Sequence, residues 1–248
     1  MTETPMPGGF VNAIVRIGDT VRRPLSGRAE FVHRLLGFLE QHGWEGSPRL
    51  LGMDEQGREI LSFLSGHVAW EAEQPAAVTS DESLVRAAEL VRDLHDLTAG
   101  TQLSGNHDVV CHNDLAPKNT VYRDLGRGLR PTAFIDWDLA APGERIHDVA
   151  HLCWQFLDLG PSVTDLGETC RKIRLICDAY GLRQRTRLIE TILWWQERCW
   201  RGILAGALAG EPAALRLRGV GAVDEVRAAQ RWIADHRNEL EARIRRSC

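Results

Sequence analysis

Lysine is nearly missing from this chain. Only Lys118 and Lys172 occur among its 30 basic residues, so arginine carries almost all of the positive charge. The formal net charge is −4, which argues against nucleic acid as the main partner, because phosphate backbones select for basic surfaces. The six cysteines form no C-x-x-C pair, so a zinc-knuckle signature is missing. Buried reduced thiols are the simpler interpretation.

Long apolar runs are also missing. No segment reaches the roughly 18 uncharged apolar residues of a membrane span, so we expect no membrane partner. Residues 1–9 lack the basic and apolar regions of a signal peptide, and we expect a cytoplasmic protein. With 248 residues and 44% apolar composition, the chain can bury the core of one domain or two small lobes. The sequence leaves the oligomeric state open.

The hydrophobic pattern changes along the chain. The first part alternates short β-type segments with one helical pattern at 29–42, which ends at Gly43. The predicted strands lie at 10–17, 20–23, 49–53, 58–64, 109–111, 120–122 and 132–135. A helix is predicted from Ser80 or Asp81 to about Leu97. Further helices are predicted near 145–158, 165–180, 184–208 and 222–246.

This order predicts an α+β fold with two lobes. Residues 1–64 would form a small N-terminal lobe, with a β-sheet and one helix. Residues 65–248 would form a larger, mostly helical lobe. A cleft between two such lobes is a usual position for a ligand.

Two segments place acids at the ends of short apolar strands. The first contains His112-x-Asp114 with Asn119 five positions further on, and the second ends in Asp136-Trp137-Asp138. Phosphoryl transfer needs a divalent metal held by oxygen ligands and a carboxylate that orients and deprotonates the attacking hydroxyl. Asp114 can be that carboxylate, with Asn119 and Asp136 as metal ligands. An Asx-turn loop is the alternative, and the strand before each acid favours the functional interpretation.

These segments resemble the aminoglycoside phosphotransferase and choline kinase-like family, which is related to the protein kinases. The resemblance runs from about Gly8 to Trp154, and the stretches 15–24 and 57–63 look like actinobacterial members. It implies a two-lobed protein-kinase-like fold, in which residues 1–64 would be the nucleotide-binding lobe and residues 65–248 the catalytic and acceptor-binding lobe. It also implies transfer of the γ-phosphate of ATP, or of GTP, to a hydroxyl of a small molecule. It also implies Mg²⁺ as a cofactor.

The resemblance assigns roles residue by residue. Asp114 falls on the catalytic base, and Asn119 and Asp136 fall on metal ligands. His112 falls on the histidine that braces the catalytic loop. Asp148 falls on the acid that ties this loop in place.

The nucleotide side of the resemblance falls on two short segments. The hinge, whose backbone groups would meet the adenine, comprises Ser62, Phe63 and Leu64. The turn that would cover the phosphates comprises Gly8, Gly9 and Asn12. Two further residues stay open. Asp138 is either a second metal ligand or a loop cap, and Lys118 is either a phosphate contact or, as we prefer, a solvated side chain.

The chain departs from the family at the lysine that pairs the nucleotide phosphates with a helix glutamate. Arg22 or Arg23 must replace it, and strand alternation allows only one of them to face the cleft; we slightly prefer Arg22. Glu30 is the nearest helix acid, although a first-turn acid there is also ordinary. These departures keep a second function open, a catalytically weak kinase-like protein that acts as a nucleotide-binding or immunity module. The acceptor would be an aminoglycoside-like antibiotic or a metabolite.

Overall fold

The computed structural model describes residues 2–6, 14–71, 73–126 and 128–245. Within these residues, an antiparallel sheet at the N-terminal end is followed by a larger, mostly helical part. The predicted α+β class is therefore confirmed. Gly8, Gly9 and Asn12 lie outside the described residues, as does the first half of the strand predicted at 10–17. The division of the chain at residue 64 stays a prediction.

The N-terminal sheet has five strands in the order β1-β2-β3-β5-β4, each antiparallel to its neighbours. They are β1 Thr4–Pro5, β2 Val15–Ile17, β3 Thr20–Arg23, β4 Leu50–Met53 and β5 Glu59–Ser62. Helix α1, Ala29–Gln41, presents a buried stripe at helical spacing to the core, made of Val32, Leu35, Leu36 and Leu39. The predicted hairpin between β4 and β5 turns at Gly57, which has a φ of +74°.

The middle of the chain supplies the strands that carry the acidic segments. Helix α2, Asp81–Thr98, begins at Ser80, whose hydroxyl accepts the N–H of Ser83 at 3.3 Å. Three strands, β6 His67–Val68, β8 Thr120–Asp124 and β9 Leu129–Phe134, form one small sheet. Strand β7, Val109–Cys111, pairs with β10, Ala141–Gly143. The polar segments that follow β7 and β9 carry the predicted site.

The C-terminal part of the described chain is helical. Its helices are α3 Arg145–Phe156, α4 Leu166–Tyr180, α5 Leu188–Leu208, α6 Pro212–Gly219, α7 Ala222–Asp235 and α8 Arg237–Arg245. The single helix predicted at 222–246 is wrong, because α7 ends at His236 and α8 starts again after it. Helix α6 and the short strands β1, β6 and β10 were not predicted. None of the helices in the described ranges has both the length and the apolar composition that a membrane crossing needs.

Candidate active site

The loop after β7 holds Asp114 and Asn119 against each other. The side-chain amide of Asn119 donates to the backbone oxygen of Asp114 at 2.9 Å and to its Oδ2 at 2.8 Å. Asn119 is buried, whereas Asp114 is partly exposed. One carboxylate oxygen of Asp114 is therefore fixed in direction. The amide oxygen of Asn119 takes no part in these two bonds, and it is the atom that can accept a hydrogen bond or bind a metal ion.

Asp148 of α3 holds the start of this loop. Its Oδ2 accepts the backbone N–H of His112 at 2.7 Å, and its Oδ1 accepts that of Asn113 at 2.9 Å. Asn113 has a φ of +65°, a left-handed conformation that asparagine tolerates better than most residues. Burial alone would raise the pKa of Asp148, but the hydrogen bonds from His95 and from the amide of Asn113 keep it below its usual value. The contacts are those of a brace.

A second layer of polar groups stands behind Asp148. The Nε2 atom of the buried His95 lies 3.1 Å from Asp148 Oδ2, and its Nδ1 atom lies 2.7 Å from the hydroxyl of Tyr180. Arg145 donates to that hydroxyl at 3.3 Å and to Asp96 at 2.7 Å. A chain of contacts therefore runs from the catalytic loop to the surface. The sequence did not predict His95.

His112 connects the catalytic loop with the segment after β9. Its Nδ1 accepts the N–H of Asp114 at 3.3 Å, so Nε2 carries the proton and donates to the carbonyl of Ile135 at 3.2 Å. Burial lowers the pKa of His112, which keeps the ring neutral. The N–H of Ile135 in turn donates to the carbonyl of Asn119 at 2.9 Å. These bonds hold Asn119 next to the residue that precedes Asp136.

Asp136 stands at a sharp backbone turn with a φ of +64°. Its side chain lines the main cleft together with Asn119, and 48% of it remains exposed. Desolvation in the cleft raises the pKa of Asp136 to about 6, and the negative charges of Asp114 and Asp138 add to the rise. Three carboxylates that repel one another beside an amide oxygen suit a hard divalent cation such as Mg²⁺. The donor set therefore fits the metal that the sequence predicts.

Arg23, not Arg22, faces these acids, which corrects the preference stated above. Arg23 donates from Nη2 to Asp138 at 2.6 Å and lies 3.4 Å from Asp136 through Nη1. Arg22 points the other way, and its Nε lies 3.9 Å from Asp54. The cause is strand alternation, because β3 turns Val21 and Arg23 toward the cleft.

The acid beside Arg23 is not the one considered from the sequence. Glu30 is exposed in the first turn of α1. Glu59 of β5, which is directly opposite Arg23 in the strand pairing, accepts the Arg23 Nε–H instead. Its other oxygen lies 2.7 Å from His33 Nε2 on α1. Glu59 could have been suspected from the sequence, because it shares the inward face of β5 with Leu61.

The cleft between the sheet and the acidic loops has a volume of about 340 Å³ and is mostly apolar. Ser62, Phe63 and Leu64 line it at the predicted hinge. The N–H of Ser62 donates to the backbone carbonyl of Arg49 at 2.9 Å, and that of Phe63 donates to the backbone carbonyl of Asp19 at 2.8 Å. Both residues continue the hydrogen bonding of β5. These two N–H groups are therefore already used within the protein.

Helices α3 and α5 form the wall behind Asp114. His151 contacts the carbonyl of Leu115 at 3.0 Å and packs against the ring of Trp195 at 5.0 Å. Burial raises the pKa of Cys199 to about 11, and the negative charge of Asp114 adds to the rise. His151 and Cys199 were not predicted.

The adjacent tryptophans of α5 point in different directions. Trp194 is 43% exposed and stacks on His147, whereas Trp195 is buried. Trp137 lies in the core, with its ring 4.5 Å from the His112 ring. Lys118 is exposed, as preferred above.

The chain is similar to a known protein family. The model of the phosphotransferase enzyme family matches residues 99–203, which include both acidic loops and Asp148. The trifolitoxin immunity protein of Rhizobium leguminosarum bv. trifolii is 30% identical over 210 residues, which cover 75% of this chain and 76% of that protein. The chain belongs to the phosphotransferase enzyme family.

Solved structures share the fold of this chain. A choline/ethanolamine kinase family protein from Mesorhizobium loti matches with a TM-score of 0.59 at 16% identity, over 99% of this chain and 92% of that one. The GDP complex of wild-type aminoglycoside 2'-phosphotransferase-IIIa matches with a TM-score of 0.56 at 14% identity, over 98% and 92%. Identities this low show a common fold alone. The kinase-like fold expected from the motifs is confirmed.

Proposed function

We propose that this phosphotransferase transfers the γ-phosphate of ATP or GTP to a hydroxyl of a small molecule. The observation that carries the proposal is the meeting of Asp114, Asn119 and Asp136 at one end of an apolar cleft. An apolar cleft accommodates a base, and clustered oxygen ligands at its end suit the metal-bound phosphates.

Each residue has a distinct task in the proposed reaction. Asp114 accepts the proton of the acceptor hydroxyl and orients its oxygen toward the γ-phosphate. Asn119 fixes the direction of that carboxylate through the 2.8 Å bond to Oδ2. His112 and Asp148 keep the loop in one conformation, so that little reorganisation is needed during the reaction.

The nucleotide would lie with its base at Leu64 and its phosphates toward Asp136. The oxygens of Asn119 and Asp136 would hold Mg²⁺, and Asp138, which accepts a hydrogen bond from Arg23, would be a further ligand. The metal, when bound, neutralises charge on the triphosphate. Arg23 would give a guanidinium contact to the phosphates. GDP bound to a protein of the same fold supports a nucleotide in this cleft.

The acceptor would approach from the side of α3 and α5. His151 and Trp195, both buried, support the loop from this side. Partly exposed acids also occur here, such as Glu197 of α5. The acceptor would be an aminoglycoside-like antibiotic or a metabolite, as the resemblance implies.

The similarity to the trifolitoxin immunity protein favours a second candidate function. The chain would then protect its host from a toxic compound by binding nucleotide and a partner, without efficient transfer. Such a module needs the cleft but not a base that faces an acceptor.

Purified protein incubated with Mg-ATP or Mg-GTP and a panel of hydroxylated antibiotics, sugars and amino alcohols tests the first candidate. We expect a phosphorylated product by mass spectrometry for wild type, and none for Asp114→Ala. If wild type and Asp114→Ala protect cells equally from a toxic compound, protection by binding without transfer replaces the phosphotransferase proposal.

A further inference from the structure

Arg23 is held from its side, so its end is directed into the cleft. The Nε–H is bound by Glu59, whereas Nη1 and Nη2 face Asp136 and Asp138. A guanidinium is planar, so a carboxylate that holds one edge fixes the direction of the other donors. The Arg23 side chain is 10% exposed, which leaves it little room to adopt another rotamer.

Glu59 has both oxygens in use, and both partners come from elements that line the cleft. The side chain is 1% exposed. Its Oε1 accepts from Arg23 of β3, and its Oε2 accepts from His33 Nε2 of α1 at 2.7 Å. Burying a carboxylate costs free energy unless charged or hydrogen-bonding groups compensate. The two contacts therefore connect the sheet and α1 at a single buried acid.

We propose that Glu59 is a positioning residue for nucleotide binding, and that the contact with His33 couples the position of α1 to the position of Glu59. Glu59 would aim Arg23 at the phosphates, and His33 would fix the rotamer of Glu59. The inference rests on the proposed function only in requiring that the cleft binds a nucleotide. It assigns no contact between Glu59 and the nucleotide itself.

A purely structural role for Glu59 predicts a different result from a positioning role. If Glu59 only neutralises a buried charge, its replacement lowers stability and leaves the affinity of the folded protein for nucleotide unchanged. If Glu59 acts through Arg23, its replacement weakens nucleotide binding by folded protein, and the effect vanishes once Arg23 is gone.

The test is a double-mutant cycle read by calorimetry of Mg-ATP and Mg-GTP binding, with thermal melts to show that each variant is folded. We expect Glu59→Gln to weaken binding about tenfold or more, the scale of one charge-assisted hydrogen bond. In an Arg23→Ala background, Glu59→Gln should change the Kd by less than about twofold. Asp54→Asn is the matched control, because Asp54 contacts Arg22 on the opposite face of β3, and its Kd should equal that of wild type.

Helix α1 is tested separately through His33, which also serves if Glu59→Gln does not fold. His33→Gln keeps a donor and should bind nucleotide as wild type does, whereas His33→Leu should bind more weakly. Losses that add independently in the cycle, or equal affinity for wild type and His33→Leu, would overturn the inference. If the wild-type chain binds neither nucleotide, the proposed function fails as well. If wild type binds and folded Glu59→Gln binds equally, only this inference fails.

Discussion

Replacing Asp148 with asparagine should destabilise the protein, although the two side chains have nearly the same shape. Asp148 is fully buried and accepts three N–H groups, from the backbone of His112, the backbone of Asn113 and the ring of His95. Asparagine offers one oxygen and an NH₂ group. At least one buried N–H would therefore face a donor instead of an acceptor.

The size of the effect follows from these contacts. One buried donor without an acceptor costs ~1–3 kcal/mol, and loss of charge from the remaining bonds costs ~1 kcal/mol more. The free energy of unfolding should fall by ~2–4 kcal/mol. For a chain of this size, each kcal/mol corresponds to about 2–4 °C in Tm. The Tm of Asp148→Asn should therefore lie ~5–15 °C below that of wild type.

Thermal unfolding followed by circular dichroism measures this difference. Asp96→Asn is the matched control, since Asp96 pairs with Arg145 at the exposed end of the same chain of contacts. An exposed pair contributes ~0–1 kcal/mol, so the control should melt close to wild type. The bracing role would be refuted if Asp148→Asn melted within about 2 °C of wild type, or no lower than Asp96→Asn.

The pH dependence gives an independent check. The pKa of Asp148 is lowered in the folded protein, so its carboxylate contributes stability above the unfolded pKa of about 3.9. This contribution is lost as the pH falls through the folded value. The difference in unfolding free energy between wild type and Asp148→Asn should therefore be largest near neutral pH and shrink below about pH 4. A difference that stays constant into acid would contradict the assignment.

The remaining predictions concern the cleft. Asp136→Asn should abolish transfer and weaken Mg²⁺-dependent nucleotide binding. Its Tm should change little, because asparagine tolerates the +64° φ of this position. A large drop in Tm would show a structural role instead. Asp114→Ala should cut transfer by ~10²-fold or more, the scale of a positioned general base. Nucleotide affinity should change by no more than a few-fold, since the backbone oxygen of residue 114 still holds Asn119. A product assay measures the first effect and calorimetry the second. Arg23→Ala should weaken nucleotide binding in the same titration, whereas Arg22→Ala should not. If only Arg22→Ala weakened binding, the assignment of Arg23 to the phosphates would be wrong.

The catalytic loop could be predicted from the sequence because its signal is local. His112, Asp114 and Asn119 lie within one short segment after an apolar strand, and Asp136 follows another. Such a segment is recognisable from its spacing alone, whereas the contacts that hold it, such as those of Asp148, come from other elements. The helices with a strong apolar period, such as α1 and α2, were predicted for the same reason.

Contacts between strands could not be predicted in this way. Which arginine faces the cleft depends on the register of β3 against β5, where Arg22 lies opposite Ile60 and Arg23 opposite Glu59. A shift of one residue would exchange the two faces. Glu59 is 36 residues from Arg23 along the chain, so no local pattern connects them. The two-residue strands were missed because they are too short to show a period.

The arginine at position 23 also changes the reactivity of the cleft. A neutral primary amine such as that of lysine is a nucleophile, whereas a protonated guanidinium is not. The charges of Asp138, Glu59 and Asp136 outweigh the effect of burial and raise the pKa of Arg23, so its guanidinium stays protonated and unreactive. Amine-directed affinity labels should therefore pass over this position. The two lysine side chains of the sequence, Lys118 beside Asn119 and Lys172 on α4, keep an amine that such labels can reach chemically.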